Sequence, residues 1–509
     1  MLSDLLSINE ISVPAFDLSA LHARIKLHFQ EYDGVRDMVF CDTPDKVMVA
    51  LKEAYQRQTQ HARTTLFPEN SPLGHRSYPY LGIYVSNCDP TLLQSHGLFS
   101  HPGFYGSTIT QPVLYETYLH QQLSLLMQAH RLVVVVGISN RPIAVSFLPR
   151  IPVGLEVVDG GCSNFPPRFE EHLPSLHNIV EDPSSEGNDD WSALKTKPLG
   201  LFSAERTDYS LARLQHYCGT SANQFQNFVL LTNYPHYVDS FFAYARDPGR
   251  LAQGYTSWAG PLDQWSPLTG NLSDDYRDNG RGFQMPAYHL QKPGRQGITL
   301  INIGVGPSNM KTITDHLAVL RPHCWIMLGH CGGLHHTQKL GDFVIANGYV
   351  REDRVLDEEL PLCIPIPPIA DVQKALYQAA AHFFPDENLL RRSFRSGTVL
   401  TTGNRNWELR VKAFSKLIHM SRSIAIDMES ATLAANAFRF SIPYGTLLCV
   451  SDRPLHGDLK MPQSAQIFYK ERVHQHMLMG IHAMEIMSTC CPLALHSRKL
   501  RSFQTIPFR

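Results

Sequence analysis

Two carboxylates stand at the ends of successive apolar runs. The stretch Ser423-Ile-Ala-Ile-Asp-Met-Glu-Ser-Ala-Thr432 delivers Asp427, Met428 and Glu429 from a short strand, and small residues open a helix directly behind them. A second run, Gly445-Thr-Leu-Leu-Cys-Val450, ends at Ser451 and Asp452. In an open α/β sheet, ligands bind outside the carboxyl ends of strands. A carboxylate that holds a sugar, beside an acid that protonates a leaving group, is what cleavage of an N-glycosidic bond needs. Singly each acid is weak evidence, because the chain has 46 acidic residues and a carboxylate at a helix start is often only a dipole-favoured cap.

Their weight comes from company. Gly304-Val-Gly-Pro-Ser-Asn309 follows an apolar run and opens a helix. Gly304 and Gly306 let a sugar or phosphate approach the backbone, Ser308 adds a hydroxyl, and a helix N-terminus favours an anion. Asn309 occupies the last position of what would otherwise be a dinucleotide fingerprint, and the stretch is not a Walker loop. Gly329-His-Cys-Gly-Gly333 also follows an apolar run, with His330 and Gly332 facing either a ligand or the next strand. Thr401-Thr-Gly-Asn-Arg-Asn-Trp407 caps another, where Asn406 and Trp407 would meet a base unless Trp407 is a core anchor. Thr232 and Asn233 close the run that starts at Phe228.

These motifs need elements to position them. Alternating apolar runs and helical periods predict strands over 228–232, 298–303, 324–328, 342–346, 397–401, 424–426 and 445–450. Helices are expected over 237–245, 309–320, 372–383, 430–438 and 465–486. That alternation indicates a mixed, mostly parallel sheet covered on both faces, an α/β domain over 225–490. Residues 1–175 read as a separate α+β domain, with strands over 80–85 and 132–136, a helix over 114–129 and a hydroxyl-rich loop at 107–110. The acidic stretch 181–190 reads as a surface loop and 208–217 as a connecting helix, so 176–224 is expected to be a linker. Residues 254–285 are polar and glycine-rich, and read as a long insertion; 491–509 form a tail.

Composition bounds the rest. A chain of 509 residues exceeds a single core. Its 45 basic and 46 acidic residues leave a net charge of −1, which gives no global field for nucleic acid or an anionic membrane. No apolar run is long enough for a transmembrane helix, and the start Met1-Leu-Ser-Asp-Leu-Leu-Ser lacks the features of a signal peptide. The ten cysteines show no CxxC spacing and read as reduced thiols of a cytoplasmic protein. There is no HExxH; His335-His336 is a weak metal candidate, and no metal is expected.

In this order the motifs resemble the nucleoside phosphorylase superfamily, and in their full text the AMP nucleosidase family. The stretches that carry the resemblance are Ile301-Asn-Ile-Gly-Val-Gly-Pro-Ser-Asn309, Leu328-Gly-His-Cys-Gly-Gly-Leu334, Arg405-Asn-Trp-Glu-Leu409, Tyr444-Gly-Thr-Leu-Leu-Cys-Val-Ser-Asp452 and Leu495-His-Ser-Arg-Lys-Leu-Arg501. The resemblance implies a three-layer α/β/α nucleoside-phosphorylase-like catalytic domain that hydrolyses AMP to adenine and ribose 5-phosphate. Asp452 would then donate a proton toward N7 of the purine, and Glu429 would hold the ribose hydroxyls. Met428 would line the sugar and Trp407 flank the base. It also implies a cytoplasmic homohexamer with MgATP as activator and phosphate as inhibitor, and no cofactor for the chemistry.

The departures from phosphorylases are informative. The place of their phosphate-binding G-D-P-x-R stretch reads Thr232-Asn-Tyr-Pro-His-Tyr237, without the Arg; a second Arg position is Met327, and His330 replaces a hydroxyl residue. Arg–phosphate contacts are strong and bidentate, so their loss argues for water as the nucleophile. Thr232, Asn233, Ser308, His330 and the 107–110 loop are the candidates for the 5′-phosphate. The alternatives are a purine nucleoside phosphorylase and a non-catalytic nucleotide sensor.

Overall fold

The structure, a computed structural model, describes residues 18–64, 76–88, 101–147, 194–270, 274–458 and 466–490, with positions 99, 174, 176, 179, 272 and 506–508. The acidic stretch 181–190 and the motif at 495–501 lie outside the described residues.

The N-terminal sheet contains β1 (Arg36–Cys41), β2 (Ser77–Val85), β3 (Gly103–Thr108), β4 (Leu132–Pro142) and β5 (Thr196–Pro198), in the order β1-β4-β2-β3-β5. Alternation along the central strands assigns their side chains to two faces. Leu81, Ile83, Val134 and Val136 meet Val47, Leu51, Leu119 and Leu123 of the helices Pro44–Thr64 and Glu116–Ala129. Tyr80 and Val135 meet Ile25 and Phe29 of the helix Leu18–Asp33 on the other face. Two expectations change. Ser107 and Thr108 belong to β3 rather than to a loop, and β5 carries the N-terminal sheet into the span read as a linker.

The helix Ala204–Cys218 joins the two halves. It is capped by Ser203, whose Oγ accepts from Arg206 N at 3.2 Å, and ends at Gly219 in a left-handed conformation. Leu211 and Leu214 enter the core of the second sheet. Asp208 turns the other way and accepts from Tyr78 Oη at 2.8 Å and Thr110 Oγ1 at 2.7 Å.

The second sheet comprises β6 (Phe228–Thr232), β7 (Ser257–Gly260), β8 (Gln264–Pro267), β9 (Ala287–Gln291), β10 (Ile298–Asn302), β11 (Cys324–Gly333), β12 (Phe343–Glu352), β13 (Phe394–Thr402), β14 (Ala425–Asp427) and β15 (Tyr444–Asp452). Their order is β14-β13-β12-β15-β11-β6-β10-β9-β7-β8. A further pairing of β14 with β11 closes β11, β15, β12, β13 and β14 into a ring. The sheet is mixed, with a parallel centre β10-β6-β11-β15 and antiparallel joins at β12–β15, β9–β10 and beyond. The helix Gln466–Thr489 packs on Ala370–Phe383 and Pro235–Ala245, while Ser430–Arg439 packs on Pro307–Leu317, which packs on Ala204–Cys218. These two helical sets cover the sheet as the outer layers of a three-layer α/β/α domain.

The span 254–285 is more than an insertion. It carries β7 and β8, which widen the sheet beyond β9. Trp258, Tyr276 and Tyr288 pack there against Phe242, whose ring stacks on Tyr276 at 3.9 Å. Four-residue strands interrupted by Gly and Pro carry too little period to be recognised from sequence.

The hairpin between β9 and β10 depends on one missing side chain. A Cβ at Gly297 would lie 2.1 Å from the Leu290 carbonyl oxygen and 2.8 Å from Lys292 N. Both obstacles are backbone, so neither can rotate away. Gly297→Ala is expected to destabilise the protein by about 2 kcal/mol, read as a lower urea midpoint; an unchanged midpoint would contradict this register.

Candidate active site

The site is built around Asp427. It ends β14 and its carboxylate is a hub: Oδ1 accepts from Thr401 Oγ1 at 2.6 Å, and Oδ2 from Ser430 N at 2.9 Å, Glu429 N at 3.4 Å and the Ser430 hydroxyl. Thr401 Oγ1 also accepts from Ala431 N at 2.9 Å. Asp427 and Thr401 thereby satisfy the opening N–H groups of the helix Ser430–Arg439. Glu429, at the cap position, is released from that duty and makes no cap bond of its own.

Glu429 reaches a different helix. Its Oε1 accepts from Gly306 N at 2.7 Å, and its Oε2 from Asn233 Nδ2 at 3.0 Å. Gly304 and Gly306 hold φ of +69° and +124°, which side-chain-bearing residues rarely adopt. Pro307 then starts the helix at its first position. The anion at this helix N-terminus is therefore the protein's own carboxyl group. Asn309 ties the loop to the Ile303 carbonyl at 3.0 Å, and Ser308 is exposed.

Burial dominates the electrostatics. Glu429 is 1% exposed, and burial, reinforced by the Asp427 charge, pushes its carboxyl up to about 8. Burial also raises Asp427, against four donors that favour its charged form. Burial therefore favours the protonated form of both carboxyls, and at Glu429 the Asp427 charge adds to it.

Asn233 and Thr232 end β6. Thr232 is fully buried, and among the described residues neither its Oγ1 nor Asn233 Oδ1 has a hydrogen-bond partner. His330 lies half-buried against Tyr234 and Tyr237, at ring separations of 4.7 and 5.7 Å. Tyr237 is fixed in turn. Because the Leu447 carbonyl can only accept, His476 Nε2 donates to it at 2.9 Å, and Nδ1 accepts the Tyr237 hydroxyl at 2.7 Å. Burial lowers His476 to about 3, so this ring is neutral.

Asp452 enters from β15. Gly332 of β11 is in register with Asp452 on one side and with Ile426 of β14 on the other. The two acid-bearing strands therefore lie two strand spacings apart, ~10 Å. Ser451 and Asp452 are half-buried, and the Ser451 hydroxyl donates to Asp452 Oδ1. The neighbouring Arg453 is engaged by Asp458 through Nε at 2.6 Å and by the Gln338 carbonyl at 2.9 Å. Met428 is half-buried between the two acids in sequence.

Other expected site residues are placed differently. Trp407 is 6% exposed and packs with Leu334, Leu400, Phe414, Ile418 and Ile426 in a satellite core behind β14. Asn406 is exposed. The hydroxyls at 107–110 do not reach the site as 5′-phosphate ligands: Thr108 donates to Glu205 and Thr110 to Asp208, both on the connecting helix. Val319 and Arg321, past the C-terminal end of the helix Pro307–Leu317, share a cavity with them, and eleven residues make that helix about 16 Å long. Among the described residues no three His, Cys, Asp or Glu side chains group as metal ligands, and His335 and His336 stack on each other at 4.6 Å. No helix among them is long and apolar enough to cross a membrane. The members of this cluster missed from sequence are Thr401, Ser430 and the hub role of Asp427. The available signal was a second acid two residues before Glu429 on a strand otherwise apolar.

A family model described as Phosphorylase superfamily matches residues 275–475, and one described as Bacterial AMP nucleoside phosphorylase N-terminus matches residues 46–159. AMP nucleosidase from Escherichia coli K12 is 43% identical over 447 residues, covering 85% of this chain and 89% of that protein. Among solved structures, AMP nucleosidase from Bacteroides thetaiotaomicron is 27% identical with a TM-score of 0.41, over 56% of this chain and 98% of that one. Toxoplasma gondii purine nucleoside phosphorylase is 20% identical with a TM-score of 0.39, over 54% and 96%.

The raised Glu429 carboxyl has a consequence for stability. An unfolded Glu releases its proton near 4.5, whereas the folded site holds it to about 8. Between those values the folded state binds more protons, so stability falls as pH rises through this window. Glu429→Gln is expected to flatten the urea midpoint against pH from 4.5 to 8 and to gain most at the upper end. The same slope in both proteins would refute the buried proton.

Proposed function

The chain belongs to the AMP nucleosidase family and hydrolyses AMP to adenine and ribose 5-phosphate; from that premise we propose that Asp452 is the proton donor and Glu429 the sugar ligand. The observation that supports this reading is the pair itself: a buried Glu429 held between Gly306 N and Asn233, and Asp452 across Gly332 on the neighbouring strand.

The chemistry follows from those positions. A purine leaves poorly as an anion, and protonation at N7 by Asp452 lets it depart neutral. As the glycosidic bond lengthens, positive charge develops on the ribose. Ribose hydroxyls donating to Glu429 favour its charged form, so its proton passes to solvent water as the nucleotide binds. A carboxylate fixed by two donors, Gly306 N and Asn233 Nδ2, then faces the sugar cation without reorganising. Met428 lines the same side.

Water completes the reaction. The two Arg residues that hold phosphate in phosphorylases are absent, and one of their places is Met327, fully buried within the sheet. Thr232, Asn233, Ser308 and His330 form the polar side that receives the 5′-phosphate, with the Thr232 hydroxyl offering a donor that has no partner among the described residues. MgATP activation, phosphate inhibition, a homohexamer and a cytoplasmic location complete the proposed reading, with no cofactor taking part in bond cleavage.

The test is adenine release from AMP without added phosphate, with adenosine as the comparison substrate. Ribose 5-phosphate from AMP alone is the expected product; a phosphate-dependent release of a sugar 1-phosphate would make the enzyme a phosphorylase. In the same assay Asp452→Asn should lose about 10²–10⁴-fold in kcat with KM changed only a few-fold. Near-normal turnover would remove Asp452 from its role.

A further inference from the structure

The helices Pro307–Leu317 and Ser430–Arg439 lie side by side, point the same way and are joined at both ends. At their starts Gly306 N donates to Glu429 Oε1 at 2.7 Å. Further along, Asn436 Nδ2 donates to Thr314 Oγ1 at 2.9 Å and to Asp315 Oδ1 at 2.7 Å. One helix rises about 12 Å from Gly306 to Thr314, and the other about 10 Å from Glu429 to Asn436. The two contacts thus span matched lengths of the pair.

Asn436 and Thr314 are fully buried in this layer. Burying an amide and a hydroxyl is costly unless their polar atoms are paired, and here they are. The Thr314 proton goes to the Met310 carbonyl at 2.6 Å, which leaves its oxygen to accept. Arg439 donates to Asn436 Oδ1 at 2.8 Å. A guanidinium can only donate, so the amide oxygen faces Arg439 and the nitrogen faces Thr314 and Asp315. The other buried positions of Ser430–Arg439 include Ala431, Ala434, Ala435 and Ala437, whose shallow ridges resist sliding weakly. A single buried Asn between packed helices fixes register in coiled coils. The helix Pro307–Leu317 is anchored at that end as well, because Arg206 of the helix Ala204–Cys218 donates to the Asp315 carbonyl at 3.1 Å.

Register matters because of what lies at the other end. A slip of one residue would shift Gly306 N by about 1.5 Å along the pair, enough to break its bond to Glu429. The carboxyl would keep Asn233 and lose its backbone donor.

We propose that Asn436 is a positioning residue for AMP hydrolysis: its bonds to Thr314 and Asp315 fix the register of the two helices and so hold the Gly306 N–H against Glu429. Asn436 acts through Glu429 alone, so this role stands on the reading of Glu429 as the sugar ligand.

A double-mutant cycle in the full-length protein tests it, with kcat/KM for adenine release from AMP as the readout and the urea midpoint as a check on folding. Asn436→Leu keeps the side-chain volume and removes the amide. With Glu429 present it should lower kcat/KM about 10–100-fold, the weight of one hydrogen bond to a charged group. In the Glu429→Ala background no carboxyl remains to be placed, and the same substitution should change kcat/KM less than about two-fold. Thr314→Val removes the contact from the other helix and should act in the same direction by about 2–10-fold; it carries the test if Asn436→Leu does not fold. Equal losses in both backgrounds would leave Asn436 with a structural role alone and overturn the proposal, as would unchanged kcat/KM with Glu429 present. Normal adenine release by Glu429→Ala itself would instead refute the sugar-ligand reading, and this role with it.

Discussion

The strand ends of the second sheet are organised around one buried carboxylate. Asp427 is buried where a strand becomes a helix, and it collects the Thr401 hydroxyl, the Ser430 hydroxyl and two backbone N–H groups. A buried charge survives only when donors replace its lost water. Here those donors are the very groups a helix start leaves unsatisfied. One residue therefore stabilises the turn, satisfies its own buried oxygens and frees Glu429 from capping. The pairing of Glu429 with Gly306 follows, because a side chain released from its own helix can serve as the anion at the start of another.

The second constraint is sheet closure. The pairing of β14 with β11 folds one end of the sheet into a ring. Without that pairing Asp427 and Glu429 would sit on an edge strand, separated by β13 and β12 from Asp452. With it, Gly332 lies between Ile426 of β14 and Asp452 of β15. The satellite core containing Trp407, Leu400 and Ile426 fills the outer side of β14 and holds the closure in place. Trp407, in the turn that follows β13, thus contributes by packing.

The joint between the halves is polar, as inter-domain contacts commonly are. Asp208, on the connecting helix, receives hydroxyls from Tyr78 and Thr110 of the N-terminal sheet, and burial pushes its carboxyl up to about 7. The hydroxyl-rich stretch at 107–110 serves this joint. Its composition had suggested a phosphate site, since Ser and Thr suit both tasks equally and only position distinguishes them.

What the sequence determined by itself was local. Apolar runs marked the long strands of the second sheet, glycine and small residues marked the turns at their ends, and the strand-end positions of Glu429, Asp452, Thr232 and Asn233 were legible because the apolar runs stop there. The two buried outer layers, the split into halves and the departure from phosphate-binding arginines could be read the same way. The tertiary structure decided the rest: the ring closure, the short strands within 254–285, the partner of Glu429, the protonation of its carboxyl, and the placing of Trp407 and Thr108. These are contacts between residues far apart in the chain, such as Asn233 with Glu429 and Thr401 with Asp427. Their existence depends on register and burial, and neither quantity is carried by the periodicity of a single segment.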